Sequence, residues 1–230
     1  VTIVKKKKPK WKEAAFMCCG FDVSTSSIAG AAMAWDKTLN KWVGPAISVH
    51  RWQKTTDYFD RLHDAAIAYV LISQMATDLK VIIPHEDIYI AIEEPWAFGQ
   101  IRGMQSNALK QQAEISGAFL SGLLRYGYRN MWQINNTAWR QIVAKELGIT
   151  IHHSKWNPTK TEGKFRAKEW ALNKYPILPV LPDLIADSKL GLIPRPEERK
   201  AKPVQSDDRY EAVAMCEWMV NEVRRNYVGE

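Results

Sequence analysis

Ala14-Ala15-Phe16-Met17-Cys18-Cys19-Gly20-Phe21-Asp22-Val23-Ser24-Thr25-Ser26-Ser27 runs as an apolar strand up to an acid and then breaks into a Ser/Thr-rich turn. A carboxylate at the mouth of a buried strand is costly to desolvate and needs a cation or a hydrogen-bond network. Two later segments have the same character. Ile88-Tyr89-Ile90-Ala91-Ile92-Glu93-Glu94-Pro95 is a second apolar strand ending in acid, and Asp207-Asp208-Arg209-Tyr210-Glu211-Ala212-Val213-Ala214 opens a late helix with acid. Strand-acid, strand-acid, helix-acid reads as a cage for divalent metal.

The rest of the chain supplies the frame. After the first strand, Ala29 to Trp35 and Val43 to Trp52 read as strands joined by the polar turn 36–40, an antiparallel meander. A helix with Thr55 or Thr56 as N-cap follows. It carries Tyr58, Leu62, Ala65, Tyr69, Ile72, Ala76 and Leu79 at alternating three- and four-residue steps, so one face is buried. The Ile88–Ile92 strand is stopped by Pro95. A helix over about 106–125 places Leu109, Ala113, Leu120 and Leu124 on one side. Its small residues Ala113, Gly117 and Gly122 suit close packing, against either the sheet or a second subunit. Met131–Ile134 is a short strand, and Thr137 caps a helix through Leu147 that Gly148 ends. Another helix covers Gly163–Tyr175, a Pro-rich loop fills about 176–205, and the last helix runs from Ser206 or Asp207 to about Asn226. The expected class is α/β: a five-stranded mixed sheet with helices on both faces, in one domain over 14–230 behind a basic arm at 1–13.

Composition narrows the function. The 230 residues are 46% hydrophobic and 25% charged, enough for one proper core. A net charge of +7 alongside carboxylates gathered at one spot suits a polyanionic substrate handled through metal. No apolar run has the roughly 18–20 residues of a membrane span, and no apolar signal core follows the early lysines, so a cytoplasmic protein is expected. Three cysteines without metal-ligand spacing read as reduced, apolar-like thiols, and His152-His153 as surface histidines. The lysines at 5–8, 10 and 12 form either a solvated run or a phosphate-contacting arm.

In a mixed sheet, ligands collect at the carboxyl ends of strands where the strand order reverses. If the first and fourth strands are parallel neighbours, Asp22 and Glu93 meet there. On the last helix Asp208, Glu211, Ala212, Met215 and Met219 share one stripe. Its apolar part must face the sheet, which delivers Asp208 and Glu211 to the other two acids. Clustered carboxylates repel unless a cation sits among them, and Mg2+ or Mn2+ suits carboxylate oxygen. Two such ions about 3.5–4 Å apart can promote phosphodiester hydrolysis by water. Acids in a first helical turn also serve as dipole caps, the bland alternative for Asp208 and Glu211. Asp207 and Glu94 become the ligands if the register slips by one.

These motifs, in this order, resemble the RuvC-like Holliday-junction resolvases of the RNase H-like superfamily. The likeness is carried by Gly20-Phe21-Asp22 with its turn and Gly30, by Ala91-Ile92-Glu93 and Ala108-Leu109-Lys110, and by Asp208-x-x-Glu211-Ala212-Val213-Ala214. It extends from about Ala14 to Asn226. The resemblance implies an RNase H-like sheet, a homodimer, two Mg2+ ions per active site (with Mn2+ as a substitute) and paired nicks across four-way DNA. Carried over by position, Asp22, Glu93, Asp208 and Glu211 are catalytic and metal-binding; Glu211 departs from the family pattern, which more often has Asp. Trp96 falls where the family places an aromatic wedge, or else packs under the following loop. Arg102, Lys110, Arg140, Lys160, Lys164, Arg166 and Lys168 are candidate phosphate contacts, the alternative for each being a solvated face. Asn135 and Asn136 suit either DNA or a turn. The competing readings are an RNase H or transposase-type nuclease, an inactive junction-binding protein, and an actin-like or sugar-kinase fold, for which the required second half is missing.

Overall fold

Strand β1 (Lys12–Val23) is the axis on which everything else is placed. It pairs antiparallel with β2 (Ser27–Asp36), which pairs antiparallel with β3 (Lys41–Arg51). The computed structural model describes residues 12–53, 55–95, 107–148, 159–176 and 208–228. Residues 1–11 of the basic arm, His152-His153 and the Pro-rich loop beyond residue 176 lie outside them, while Lys12 and Glu13 belong to β1.

On its other side β1 is parallel to β5 (Ile88–Glu93), which is parallel to β6 (Asn130–Ile134), giving the order β3-β2-β1-β5-β6. This is the expected five-stranded mixed sheet. A two-residue strand the sequence reading missed, β4 (Val81–Ile82), pairs with the start of β1 at Lys12 and Glu13. The turn after β2 forms because the Asp36 carboxylate accepts from the N–H groups of Thr38 and Leu39, at 2.9 and 3.0 Å, while Asn40 takes a positive φ of 49°.

Strand parity divides the core in two. Met17, Cys19, Phe21 and Val23 of β1 face one layer, with α1 (Tyr58–Ile67), α2 (Val70–Leu79) and α3 (Asn107–Arg125). Cys18 of β1 faces the other, with Ala29 and Ala31 of β2, Ala91 of β5, and the helices α4 (Asn136–Glu146), α5 (Thr159–Lys174) and α6 (Asp208–Val223). Each large apolar side chain withdrawn from water here contributes roughly 1.5–3 kcal/mol. The three thiols are all buried and free; burial, more than any neighbouring charge, pushes them up from the ordinary thiol range.

Several expectations change in detail. The single helix expected over 58–79 is two helices, because the chain tightens into i→i+3 bonds at Ala68, Leu71 and Ile72. The N-cap is Asp57, whose side chain accepts from the N–H of Phe59, rather than Thr55 or Thr56. Among the described residues of α3 the buried ones are Ile115, Ser116, Phe119, Gly122 and Leu123, whereas Ala113 and Leu124 are exposed. Of the expected stripe, Leu120 is partly buried against the core and the Leu109 side chain lies outside the described residues. Gly122 does permit close packing, but against α1: an added Cβ would lie 2.0 Å from the Ala66 carbonyl oxygen. Gly117 has nothing within 4 Å of that position. Asn135, not Thr137, caps α4, accepting from the N–H of Ala138 at 3.0 Å. Finally, α6 is buried on nearly every side, not along one stripe, since α4 and α5 cover its outer surface.

The most confined contact is between β1 and α6. A Cβ at Gly20 would lie 2.2 Å from the Cys216 backbone nitrogen and 2.4 Å from the Ala212 carbonyl oxygen. With Ala29, Ala31 and Ala91 beside it, Gly20 makes a floor of small residues on which the helix lies directly against the sheet. Gly20→Ala is therefore expected to cost at least 1–3 kcal/mol in urea unfolding, since backbone rather than a mobile side chain blocks the new methyl. Gly117→Ala, in an open helical position, is expected to gain roughly 0.5–1 kcal/mol. Equal effects from the two substitutions would contradict this packing account.

Candidate metal centre

Parity that splits the core also aims the acids. Phe21 is paired with Ile92, so the next step along two parallel strands brings Asp22 beside Glu93. Both stand on the face covered by α6, two residues beyond Gly20 and Ala91 respectively. Because α6 rests on Gly20 through Ala212 and Cys216, its first turn reaches the carboxyl ends of β1 and β5. Asp22, Glu93 and Glu211 each offer a carboxylate oxygen, and these oxygens all lie within 4.8 Å of one another. Asp22 is 6% and Glu211 2% exposed, while Glu93 is partly open.

Asp208 is not a member of this group. Its Oδ2 accepts a 2.6 Å hydrogen bond from the Ser27 hydroxyl, 181 residues earlier in the chain. Ser27 opens β2 and belongs to the turn that follows Asp22. Ser24 accepts there from the N–H of Ser27 at 3.0 Å and its own N–H donates to the Ser27 carbonyl at 2.9 Å. Two further side chains brace the turn. Arg61 of α1 donates to the Thr25 carbonyl at 2.9 Å, and Gln112 of α3 donates to the Val23 carbonyl at 3.3 Å. The sequence reading named neither Arg61 nor Gln112. Only their position on an opposing helix gives them a role, and no spacing in the sequence signals it.

Of the two alternative ligands, Glu94 does not enter the group. Glu94 uses its backbone N–H on the Ile134 carbonyl at 2.7 Å, and Asp207 lies outside the described residues. So do Trp96 and Arg102. Lys160, Lys164 and Arg166 fall on the first half of α5, whose side chains there are likewise outside the described set. Lys110 is exposed and pairs with Glu114 at 3.8 Å; Lys168 is exposed, 5.9 Å from the Tyr210 ring. Arg140 is half-buried and stacks 4.9 Å over the ring of Trp139. Asn135 is taken up as a helix cap.

The donor set fits a small divalent cation. All three groups offer hard carboxylate oxygens, the kind Mg2+ and Mn2+ prefer, and oxygens across an octahedral ion at about 2.0–2.1 Å stand roughly 4 Å apart. At an effective dielectric near 20, each pair of carboxylates spaced in this way repels by roughly 3 kcal/mol. A cation among them reverses that sign. Asp22, Glu93 and Glu211 are the residues that would hold it.

The same architecture occurs in solved structures. Thermus thermophilus RuvC matches over 91% of this chain and 96% of its own, with a TM-score of 0.52 and 14% identity. The T. thermophilus RuvC structure in complex with Holliday junction substrate matches over 92% and 96%, with a TM-score of 0.50 and 13% identity. The chain has a RuvC-like fold. A weaker likeness, with a TM-score of 0.48 and 10% identity over 95% of this chain and 86% of the other, is to the yeast mitochondrial Holliday junction resolvase Ydc2. No family model matches the sequence, and no curated protein matches it. The RuvC-like likeness therefore lies in the mixed sheet and its helices, with little of it in residue identity.

If the carboxylate group holds a cation, Mn2+ or Mg2+ at about 100 times the dissociation constant should stabilise the protein by about 2.7 kcal/mol, read as a rise in Tm. Asp22→Asn should abolish most of that rise. A shift of equal size in wild type and variant would place the bound ions elsewhere.

Proposed function

We propose that this protein is a metal-dependent, structure-selective endodeoxyribonuclease that resolves four-way or otherwise branched DNA by hydrolysis. The observation that carries the reading is the convergence of Asp22, Glu93 and Glu211, from two strands and a helix, within 4.8 Å on a RuvC-like sheet. Asp22, Glu93, Glu211 and Asp208 are assigned the catalytic and metal-binding roles. Mg2+ or Mn2+, as two ions per site, would lower the pKa of an attacking water and neutralise charge gained by the phosphate and the leaving oxygen. The protein's own part is positional. Backbone pairing fixes Asp22 beside Glu93, the first turn of α6 supplies Glu211, and Ser27 fixes Asp208.

The substrate follows from charge. A surplus of seven positive charges attracts a polyanion, and the site's carboxylates exclude it from the cleavage point except where cations intervene. Lys110, Arg140, Lys160, Lys164, Arg166 and Arg102 are assigned to phosphate contacts and Trp96 to stacking at the branch, where a base on an aromatic ring contributes roughly 1–3 kcal/mol. A homodimer would place two such sites on one junction. An open groove of about 490 Å3 between α1 and α3 suits it, with the exposed Ile67 and Tyr126 among its lining residues. Light scattering should return twice the 26.3 kDa chain mass; a monomer at micromolar concentration would remove the dimer from the proposal.

The test of the activity is cleavage of a synthetic four-way junction in Mg2+, against a linear duplex and an RNA–DNA hybrid. Asp22→Asn, Glu93→Gln and Glu211→Gln should each lower kcat by several orders of magnitude with KM for the junction little changed. Cleavage of the hybrid alone would move the protein to an RNase H-type activity. Junction binding without turnover would make it a binding protein.

A further inference from the structure

We infer that Ser27 is a positioning residue for Asp208 and that it thereby sets the affinity of the second of two divalent-ion positions. The first position, made by Asp22, Glu93 and Glu211, forms without it. This rests on the metal-dependent reading above and adds to it an inequality between the two positions.

The argument begins with the donor count. A serine hydroxyl has one proton, and an ionised carboxylate only accepts. At 2.6 Å between Ser27 Oγ and Asp208 Oδ2, the proton must come from Ser27, within the short range of a charge-assisted O–H···O bond. Ser27 is 2% exposed, which shields the donor side of that bond from water, while Asp208 is partly exposed. The Ser27 hydroxyl is not free to rotate away. Ser24 Oγ lies 3.2 Å from Ser27 Oγ and accepts from the Ser27 N–H at 3.0 Å, so the hydroxyl is held by the turn as well as by the acid. Arg61 and Gln112 fix the turn in turn, through the Thr25 and Val23 carbonyls.

The consequence is an asymmetry among the acids. Three carboxylates are gathered already, and Asp208, outside that group, has one oxygen committed to Ser27. It shares the first turn of α6 with Glu211, so the helix carries it at the same end as that member of the group. Ions held by the gathered three do not need Asp208; an ion that uses Asp208 depends on the orientation Ser27 gives it. Hydrogen-bond partners of a ligating group typically account for 10–100-fold in metal affinity.

The experiment is an Mn2+ titration of the metal-free full-length protein, followed by electron paramagnetic resonance and calorimetry, with Tm recorded without metal. Wild type should bind two ions of unequal affinity. Ser27→Ala should weaken the second by roughly tenfold or more and leave the first nearly unchanged, while Ser27→Thr, which keeps the hydroxyl, restores the second. In cleavage, Ser27→Ala should raise the Mn2+ concentration for half-maximal rate without changing KM for DNA. Asp208→Asn, which still accepts from Ser27, should lose the second ion and keep the first, and this outcome remains readable if Ser27→Ala does not fold. Equal weakening of both ions, loss of the first ion in Asp208→Asn, or failure of threonine to rescue would overturn the inference. A wild type that binds Mn2+ and cuts junctions alongside an indistinguishable Ser27→Ala would overturn this inference alone; a wild type that binds no Mn2+ would overturn the functional reading with it.

Discussion

The approach of α6 to β1 over Gly20 is the contact on which the rest depends. No side chain separates the helix backbone from the strand, and the neighbouring floor positions are alanines. A larger residue at Gly20 would lift the helix, and Glu211 with it, off the carboxyl ends of the strands. Glycine is required here by close approach, since Gly20 is not among the residues with positive φ. Parity does the rest. Because side chains alternate along a strand, the register that puts Gly20 under α6 also puts Asp22 on that face, and the parallel pairing of β1 with β5 puts Glu93 beside it.

An apolar sheet that converges acids at its rim works against its own stability, and the structure offsets this from both sides. Two cores, with Phe21 and Phe119 packed edge to face at 5.0 Å in one and Trp139 and Trp170 fully buried in the other, hold the layers together. A second polar cluster ties α5 to α4 and α6: Lys174 pairs with Glu146 at 2.7 Å and with the buried Glu217 at 3.0 Å, and the Tyr175 hydroxyl donates to Glu217. Burial and that carboxylate push the Tyr175 hydroxyl upward from its ordinary range, keeping it a donor. Rigidity around α6 is thus also built where α4 and α5 pack on it, by residues other than Asp22, Glu93 and Glu211.

Much of this was legible in the sequence because it is written in short-range pattern. Apolar runs ending in acid gave the strands of Asp22 and Glu93, and the hairpin turn at 36–40 announced the meander. The helix opening Asp208-x-x-Glu211 placed the third element. What could not be read depends on tertiary partners. The break at Ala68 and Tyr69 leaves the three-four spacing of apolar residues nearly intact, so periodicity passes over it. The buried face of α3 was only partly read, Leu120 packing on the core while Ala113 and Leu124 are exposed, because Leu and Ala occur on both sides of that helix. Of the four acids, the sequence could not distinguish the three that meet from Asp208. Asp208 is bonded instead to a hydroxyl 181 residues away.

The central claim is that three carboxylates remote in sequence form one divalent-cation site. The most direct measurement is anomalous scattering from a crystal soaked in Mn2+. The account predicts an ion within about 2.0–2.4 Å of oxygens from Asp22, Glu93 and Glu211 together. Anomalous density bound elsewhere, with these three carboxylates holding no ion, would contradict it.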